Sequence, residues 1–195
     1  MVFGKRIKSL VFSTDLSIIK NVNADAIIAV YPFTPQPIIT QALLLAADIP
    51  VFAGVGGGLT KGQRVVNLAM FAEMQGATGV VLNAPTANAV VQHVAETIDI
   101  PVVVTVARAD TDFEARLQAG ANIFNVSAAA ETPAIVRSIR ERYPDVPIIA
   151  TGGPTDESIL ETIQAGANAI TWTPPSNGEI FRDIMAAYRD NKPHP

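Results

Sequence analysis

Two short motifs alternate along this chain at the starts of its apolar, β-branched segments. In the first, isoleucine or valine is followed by proline, which suits a strand start because proline has no N–H for the sheet ladder. In the second, a glycine ends a helical pattern, since glycine adopts the left-handed backbone that terminates helices. The first motif occurs at Ile49-Pro50, Ile100-Pro101 and Val146-Pro147, and the second at 75–77, 119–121 and 165–167, with Ala24-Asp25-Ala26 in the equivalent place.

The second motif recurs every 44 to 51 residues and divides the chain into four units. Each unit holds two apolar segments, and amphipathic helical patterns separate most of them. This alternation indicates a parallel sheet, and four (βα)2 units supply the eight strands that close a barrel. The predicted strands are 9–14, 26–32, 51–56, 79–84, 102–107, 123–128, 148–153 and 169–173, and the clearest helical patterns are 63–75, 87–98, 132–143 and 157–165.

The fold class predicted from this pattern is α/β, a single compact (β/α)8 TIM barrel with eight parallel strands. A hydrophobic content of 49% with only 16% charged residues agrees with strands that are buried on both faces. The length of 195 residues is near the lower limit for this fold, so we expect one domain over 1–195 with a loose tail at 190–195. Small barrels often bury apolar helices against a second copy, and we therefore expect a homo-oligomer.

The charge distribution and the absence of cysteine exclude several classes of function. The net charge is -4 and the basic residues are scattered, which gives no footprint for nucleic acid or for an anionic membrane. Lys5, Arg6 and Lys8 precede an apolar run at 10–12 that is too short for a signal peptide, so we expect a cytoplasmic protein. With no cysteine there is no disulfide, thiolate nucleophile or thiolate metal ligand.

A double glycine at the end of the seventh predicted strand is the strongest candidate for a binding site. Loops after strands seven and eight commonly hold phosphate in this fold, because glycine lets backbone N–H groups approach an anion. Thr151, Gly152 and Gly153 form this turn, and Ser176 and Asn177 precede the last helix, where they could add its N-terminus. The alternative is a tight turn followed by ordinary helix caps.

The stretch 118–173 resembles the last third of phosphate-binding aldolase-type barrels. It resembles especially the 2-keto-3-deoxy-6-phosphogluconate aldolases, whose seventh strand ends in a Thr-Gly-Gly phosphate turn like Thr151-Gly152-Gly153. Those enzymes carry a Schiff-base lysine on the sixth strand, whereas here Asn125 or a neighbour stands in that place. The whole chain also resembles small uncharacterised bacterial barrels that carry a hydrolase label, a resemblance that conveys little chemistry.

The resemblance therefore predicts a phosphate site but not an imine mechanism. All five lysines lie outside the predicted strand interiors, and a class I aldolase is disfavoured. The two histidines, His93 and His194, fall on a predicted outer helix and in the tail, so we expect neither a metal site nor a serine triad. No cofactor is expected.

Few residues remain for proton transfer and for electrostatic stabilisation. Asp15, at the end of the first strand, is the best candidate base, although it also fits the N-cap of a short helix. The glycine-rich loop 54–64 does not have P-loop spacing, but it could be a flap on which Lys61 or Arg64 neutralises an anion, or a simple loose turn. Arg108 is a further candidate cation.

Three polar residues end even-numbered strands and could orient a substrate. Asn83, Asn125 and Ser127 either hydrogen-bond a ligand in the mouth of the barrel or satisfy one another. In the leading hypothesis Asp15, Lys61 and Asn125 are catalytic, and Arg64, Asn83, Arg108, Ser127, Ser176, Asn177 and the turn 151–153 bind the substrate.

These residues lead to one principal function and two alternatives. The principal one is a metal-independent lyase, isomerase or hydrolase that acts on a small phosphorylated or anionic metabolite. The second is an FMN-binding oxidoreductase barrel, because 148–153 also resembles an FMN-phosphate strand, although the prolines in 173–176 argue against that geometry. The third is a barrel that binds a phosphorylated metabolite without catalysis.

Overall fold

Eight parallel strands close into a barrel in the computed structural model, which describes residue 2 and residues 4–194. Each strand pairs with the next one along the chain, and β1 pairs with β8 to complete the ring. The predicted (β/α)8 fold is thereby confirmed. The strands are β1 Ser9–Phe12, β2 Ala26–Ala29, β3 Val51–Gly56, β4 Gly79–Leu82, β5 Val102–Val106, β6 Ile123–Val126, β7 Ile148–Thr151 and β8 Ala169–Trp172.

A helix follows every strand on the outside of the barrel. The predicted strand starts agree with the observed ones, but all strands except β3 end earlier than predicted, because the last residues of each run turn into the loops at the rim. The helices are α1 Leu16–Asn21, α2 Pro37–Ala46, α3 Gln63–Met74, α4 Asn88–Thr97, α5 Phe113–Gln118, α6 Thr132–Arg142, α7 Asp156–Gln164 and α8 Asn177–Arg189, with a short 3₁₀ turn at Ala129–Glu131.

The predicted division into four (βα)2 units is visible in the hydrogen bonds at the bottom of the barrel. Gly76, Gly120 and Gly166 have positive φ angles of 94°, 97° and 110° and end their helices as expected. In every unit the residue before the even strand donates its N–H to the first carbonyl of the odd strand. The four bonds are Asp25 to Ser9, Thr78 to Val51, Asn122 to Val102 and Asn168 to Ile148.

Three of the four units add a side-chain bond at the same place. Asn122 Oδ1 accepts the N–H of Val102 at 2.8 Å, and Asn168 Oδ1 accepts the N–H of Ile148 at 2.8 Å. Asp25 does the same with its carboxylate, which accepts from the backbone of Lys8 and Ser9. These N–H donors lower the pKa of Asp25 because they stabilise the ionised form.

Along each strand, every second side chain points into the barrel, and the side chains between them pack under the helices. Successive strand residues point to opposite faces, so this division follows directly from the strand geometry. The inner cluster is wholly apolar and plugs the lower part of the barrel. Its buried members are Leu10, Ala26, Ile28, Phe52, Val81, Val103, Ile123, Ile149 and Ala169.

The last helix and the tail differ from the rest of the shell. No side chain of α8 is buried, whereas α3 and α6 each bury several. The predicted loose tail is described up to His194, and within it the N–H of Lys192 donates to the carbonyl of Ala187. Pro195, Met1 and Phe3 lie outside the described residues. None of the described helices has the length and apolar composition that a bilayer span requires.

We predict that Asn122→Ala lowers the free energy of unfolding by about 1 kcal/mol, because the N–H of Val102 loses its partner. The matched control is Thr78→Ala in the equivalent position, where the side chain makes no such bond and the loss is smaller. Urea unfolding at constant m-value measures both changes. Equal losses in the two variants would show that the side-chain bond adds nothing.

Candidate functional site

Above the apolar plug, the next inward position of each strand forms the mouth of the barrel. On β5 to β8 these positions are polar, and on β1 to β3 they are apolar or glycine. On β4 the position is Asn83, a polar residue between the two groups. The mouth therefore has a polar half and an apolar half. In strand order from β5 to β8 the polar half consists of Thr105, Asn125, Thr151 and Thr171, and from β1 to β3 the apolar half consists of Phe12, Val30 and Gly54.

The polar half contains hydrogen-bonding atoms without partners. Asn125 Nδ2 donates to Thr105 Oγ1 at 3.4 Å, yet Asn125 Oδ1 and Thr171 Oγ1 are buried and make no hydrogen bond among the described residues. The two residues are only 9% and 5% exposed. Leaving such an atom unpaired costs about 1–3 kcal/mol, so paired polar atoms are the rule in protein interiors. These two atoms are therefore candidate partners for a hydrogen-bonding ligand.

The double glycine lies beside these atoms. The N–H of Gly152 donates to the carbonyl of Thr171 at 3.3 Å, which ties the turn to β8. Gly153 has a φ of 82°, and a Cβ there would come within 2.5 Å of Ser158 Oγ, so both the backbone and the close approach of α7 require glycine. The N–H of Gly153 takes part in no backbone hydrogen bond among the described residues. Nearby, Thr151 Oγ1 donates to Ser127 Oγ at 3.2 Å.

Ser176 at the start of α8 is already engaged by a carboxylate of its own helix. Glu179 accepts from the N–H of Ser176 at 2.8 Å and from its hydroxyl at 2.7 Å, in a complete capping box. These bonds lower the pKa of Glu179, which keeps a negative charge at the helix start. An external phosphate would compete with this charge, so the predicted role of Ser176 requires Glu179 to move.

The structure brings Asp15 and Asn177 together, and a hydrogen bond between their side chains links the starts of α1 and α8. Asp15 Oδ1 accepts from the N–H groups of Ser17 and Ile18 at 2.9 and 3.2 Å, which is the capping alternative considered for this residue. Its other oxygen accepts from Asn177 Nδ2 at 2.6 Å. The Ser17 hydroxyl and the Ile18 N–H lower the pKa of Asp15, and a carboxylate of low pKa is a weak proton acceptor.

The three candidate cations do not converge on the mouth. Arg64 lines a groove on the outer flank between α2 and α3, and Lys61 is exposed on the loop before α3. Arg108 binds both carboxylate oxygens of Asp110 at 2.9 and 2.7 Å, with its side chain 77% exposed. This ion pair raises the pKa of Arg108. A further arginine, Arg116, donates to the carbonyls of Ala84 and Thr86 and holds the loop after β4.

Asn83 lies at the opposite side of the mouth from the glycine turn. It lines a cavity of about 180 Å³ at the ends of β2, β3 and β4. Thr60 lines the same cavity. The sequence placed Thr60 and Thr171 in segments expected at the rim, but it assigned neither of them a catalytic or binding role. The signal for Thr171 was available in principle, because it lies two residues after the inward-facing Ala169.

The described residues contain no cluster of three or more histidine, aspartate or glutamate side chains that could hold a metal ion. Three acidic side chains near the rim are committed elsewhere: Asp15 and Glu179 cap helices, and Asp110 pairs with Arg108. The chemistry that this mouth offers is therefore hydrogen bonding by hydroxyl, amide and backbone N–H groups.

No protein-family model matches the chain, and no curated protein matches it. Solved structures do match in fold. Phosphonopyruvate hydrolase in complex with oxalate and Mg²⁺ has 13% identity and a TM-score of 0.71, and the alignment covers 96% of this chain and 84% of that chain. For 2,3-dimethylmalate lyase, a PEP mutase/isocitrate lyase superfamily member, the values are 13%, 0.72, 96% and 84%.

Phosphoenolpyruvate phosphomutase from Streptomyces platensis subsp. rosaceus is similar to the same degree, with 15% identity, a TM-score of 0.69 and coverage of 95% and 84%. At such identities the likeness shows the fold alone. It confirms the barrel that the aldolase resemblance implied, while the specific likeness to 2-keto-3-deoxy-6-phosphogluconate aldolases stays a prediction.

We predict that Asp15→Ala destabilises the protein, whereas Asp15→Ser retains most of the stability because serine also caps a helix. Because the pKa of Asp15 is lowered in the folded state, its contribution is complete at neutral pH and is lost as the pH falls through that lowered pKa. Thermal unfolding of the three proteins at pH 7 and at pH 3 measures this. Equal stability of the alanine and serine variants would rule out the capping role.

Proposed function

We propose that this protein is an enzyme of the lyase or hydrolase type that binds a small phosphorylated or anionic metabolite in the polar half of the mouth. The observation that carries the proposal is the pair of buried, unpaired atoms, Asn125 Oδ1 and Thr171 Oγ1, beside the turn at Gly152 and Gly153. The names of the fold neighbours, a phosphonopyruvate hydrolase, a dimethylmalate lyase and a phosphomutase, support the same class of substrate.

In this proposal the anion is held by dipoles rather than by cations. The N–H of Gly153 and the hydroxyl of Thr171 donate to the anion, and the paired hydroxyls of Thr151 and Ser127 form the adjacent wall. Fixed donors in a site of low polarity stabilise negative charge strongly, because they need no reorganisation when the charge develops. The Asn125 amide, whose oxygen is unpaired, would orient a hydroxyl or another donor group of the substrate.

A lyase or hydrolase of this kind also needs a residue that transfers a proton. Asp15 remains the predicted base, but its capping bonds and lowered pKa oppose that role. The expected metal independence also stays a prediction, since the matching phosphonopyruvate hydrolase was solved with Mg²⁺. A second candidate is a barrel that binds a phosphorylated metabolite without turnover. The observation that favours it is that the inward positions of β5 to β8 carry no ionisable side chain.

We predict that inorganic phosphate or methylphosphonate raises the melting temperature of the wild type, by about 5–10 °C at one hundred times the dissociation constant. Thr171→Val keeps the shape of the side chain and removes the unpaired hydroxyl. It should leave the ligand-free protein as stable or more stable, and it should reduce the shift caused by phosphate. Gly153→Asp would be a poor test, because any side chain there strains the turn and meets Ser158.

Thr60→Val is the matched control, since it also removes a buried, unpaired hydroxyl but on the other side of the mouth. Its response to phosphate should equal that of the wild type. If neither anion shifts the wild type, or if both variants respond like it, the phosphate proposal is wrong. Given binding, phosphate release from phosphonopyruvate or from a panel of phosphate esters distinguishes the enzyme from the non-catalytic barrel.

A further inference from the structure

The structure contains a second candidate site, which does not depend on the phosphate turn. We propose that the cavity at the ends of β2, β3 and β4, here called the ring pocket, binds one planar, uncharged ring that carries a hydrogen-bonding substituent. The lining residues are Val30, Tyr31, Pro32, Phe33, Pro35, Gly54, Gly56, Gly58, Leu59, Thr60 and Asn83.

The floor of the ring pocket is glycine backbone, and the structure explains why. The pairing of β3 with β4 shifts between Gly54 and Gly56, and Gly56 and Gly57 have φ angles of 131° and 99°. A Cβ at Gly57 would lie 1.8 Å from Thr86 Oγ1, so the loop can pack on the turn after β4 only with glycine there. Irregular strands of this kind are common next to binding sites, and bare backbone lets a flat ligand approach closely.

Gly54 keeps part of the ring pocket open because it has no side chain. A Cβ at this position would come within 3.0 Å of Val30 Cγ2 and 3.1 Å of the carbonyl of Ala29, so a larger residue would fill the space between β2 and β3. The cavity measures about 180 Å³. A buried apolar cavity of about 150 Å³ is known to hold a benzene molecule, which makes one ring the matching size.

Two of the lining side chains, Tyr31 and Phe33, are aromatic, and the protein covers little of Phe33. The hydroxyl of Tyr31 accepts the N–H of Gln36 at 2.8 Å, which fixes the position of that ring. Phe33 is 71% exposed, although a phenylalanine side chain gains most by being covered. Aromatic side chains prefer offset or edge contacts with another ring, so a planar ligand would cover Phe33 better than an aliphatic one.

The polar atoms of the ring pocket indicate a ligand that forms hydrogen bonds but carries no charge. Thr60 is only 4% exposed and its hydroxyl makes no hydrogen bond among the described residues. Asn83 adds an amide, and no lysine, arginine, histidine, aspartate or glutamate lines the cavity. An ionised ring would have no counter-charge here. A ring amide or a pyrimidine-like carbonyl would satisfy the Thr60 hydroxyl.

The test uses three probes with the wild-type protein: nicotinamide, benzamide and cyclohexanecarboxamide. The first two are planar and uncharged, and the third carries the same amide on a ring that is not flat. In amide NMR spectra, nicotinamide and benzamide should move the signals of Gly58 and Asn83 and leave that of Gly153 in place. Cyclohexanecarboxamide should bind more weakly by at least about threefold, because it cannot stack on the aromatic walls.

Two variants then test the named contacts. Thr60→Val should weaken nicotinamide binding by about fivefold, the worth of one hydrogen bond, without lowering the melting temperature of the ligand-free protein. Phe33→Ala should weaken it by a similar factor, whereas Phe71→Ala, which removes an exposed aromatic ring on the outside of α3, should change nothing.

The outcomes separate this proposal from the phosphate site. Absence of binding by both planar probes, equal binding of the third probe, or unchanged affinity in Thr60→Val would each overturn the ring pocket. None of these results bears on the response to phosphate, which is measured with probes that contain no ring. Shifts confined to Gly58 and Asn83 together with the loss in Thr60→Val support the proposal.

Discussion

Closure of the eight-stranded sheet is the constraint on which the rest of this molecule depends. Once β1 pairs with β8, every strand has one face inside the ring and one face under the helices, and alternate residues are assigned to these faces. The inside is too narrow for anything but side chains, so the lower positions must be apolar and fill it. The chain obeys this with an unbroken apolar plug from Leu10 to Ala169.

The same alternation places the functional groups. Two residues beyond the plug, the inward positions reach the rim. Residues there can be polar, but their polar atoms still need hydrogen-bond partners. On β5 to β8 this produces hydroxyl and amide groups of which two lack partners, and on β3 it produces glycines that leave room for a ligand. The ends of the strands therefore differ around the ring, and the proposed anion site and the proposed ring pocket lie on different sides of the mouth.

Much of the fold could be predicted from the sequence because its signals are local. Proline at strand starts and glycine at helix ends act within a few residues, and the repeat of Gly76, Gly120 and Gly166 defined the units. Most strands were predicted too long, since residues such as Thr14 and Pro32 follow the apolar runs directly but lie beyond the strand ends at the rim. The side chains of Asp25, Asn122 and Asn168 at the strand starts were not foreseen, because their partners lie 16 to 20 residues away.

The candidate site was harder to predict, because its residues interact across the ring. Sequence position put Asp15, Ser176 and Asn177 at the rim, but only the folded chain pairs Asp15 with Asn177 and Ser176 with Glu179. By itself the sequence determined the element order, the strand starts and the glycine turn at 152–153, since these depend on local backbone preferences. The tertiary structure alone decided which polar atoms stay unpaired, as at Thr60, Asn125 and Thr171. Whether such an atom finds a partner depends on all the residues packed around it, and these come from distant parts of the chain.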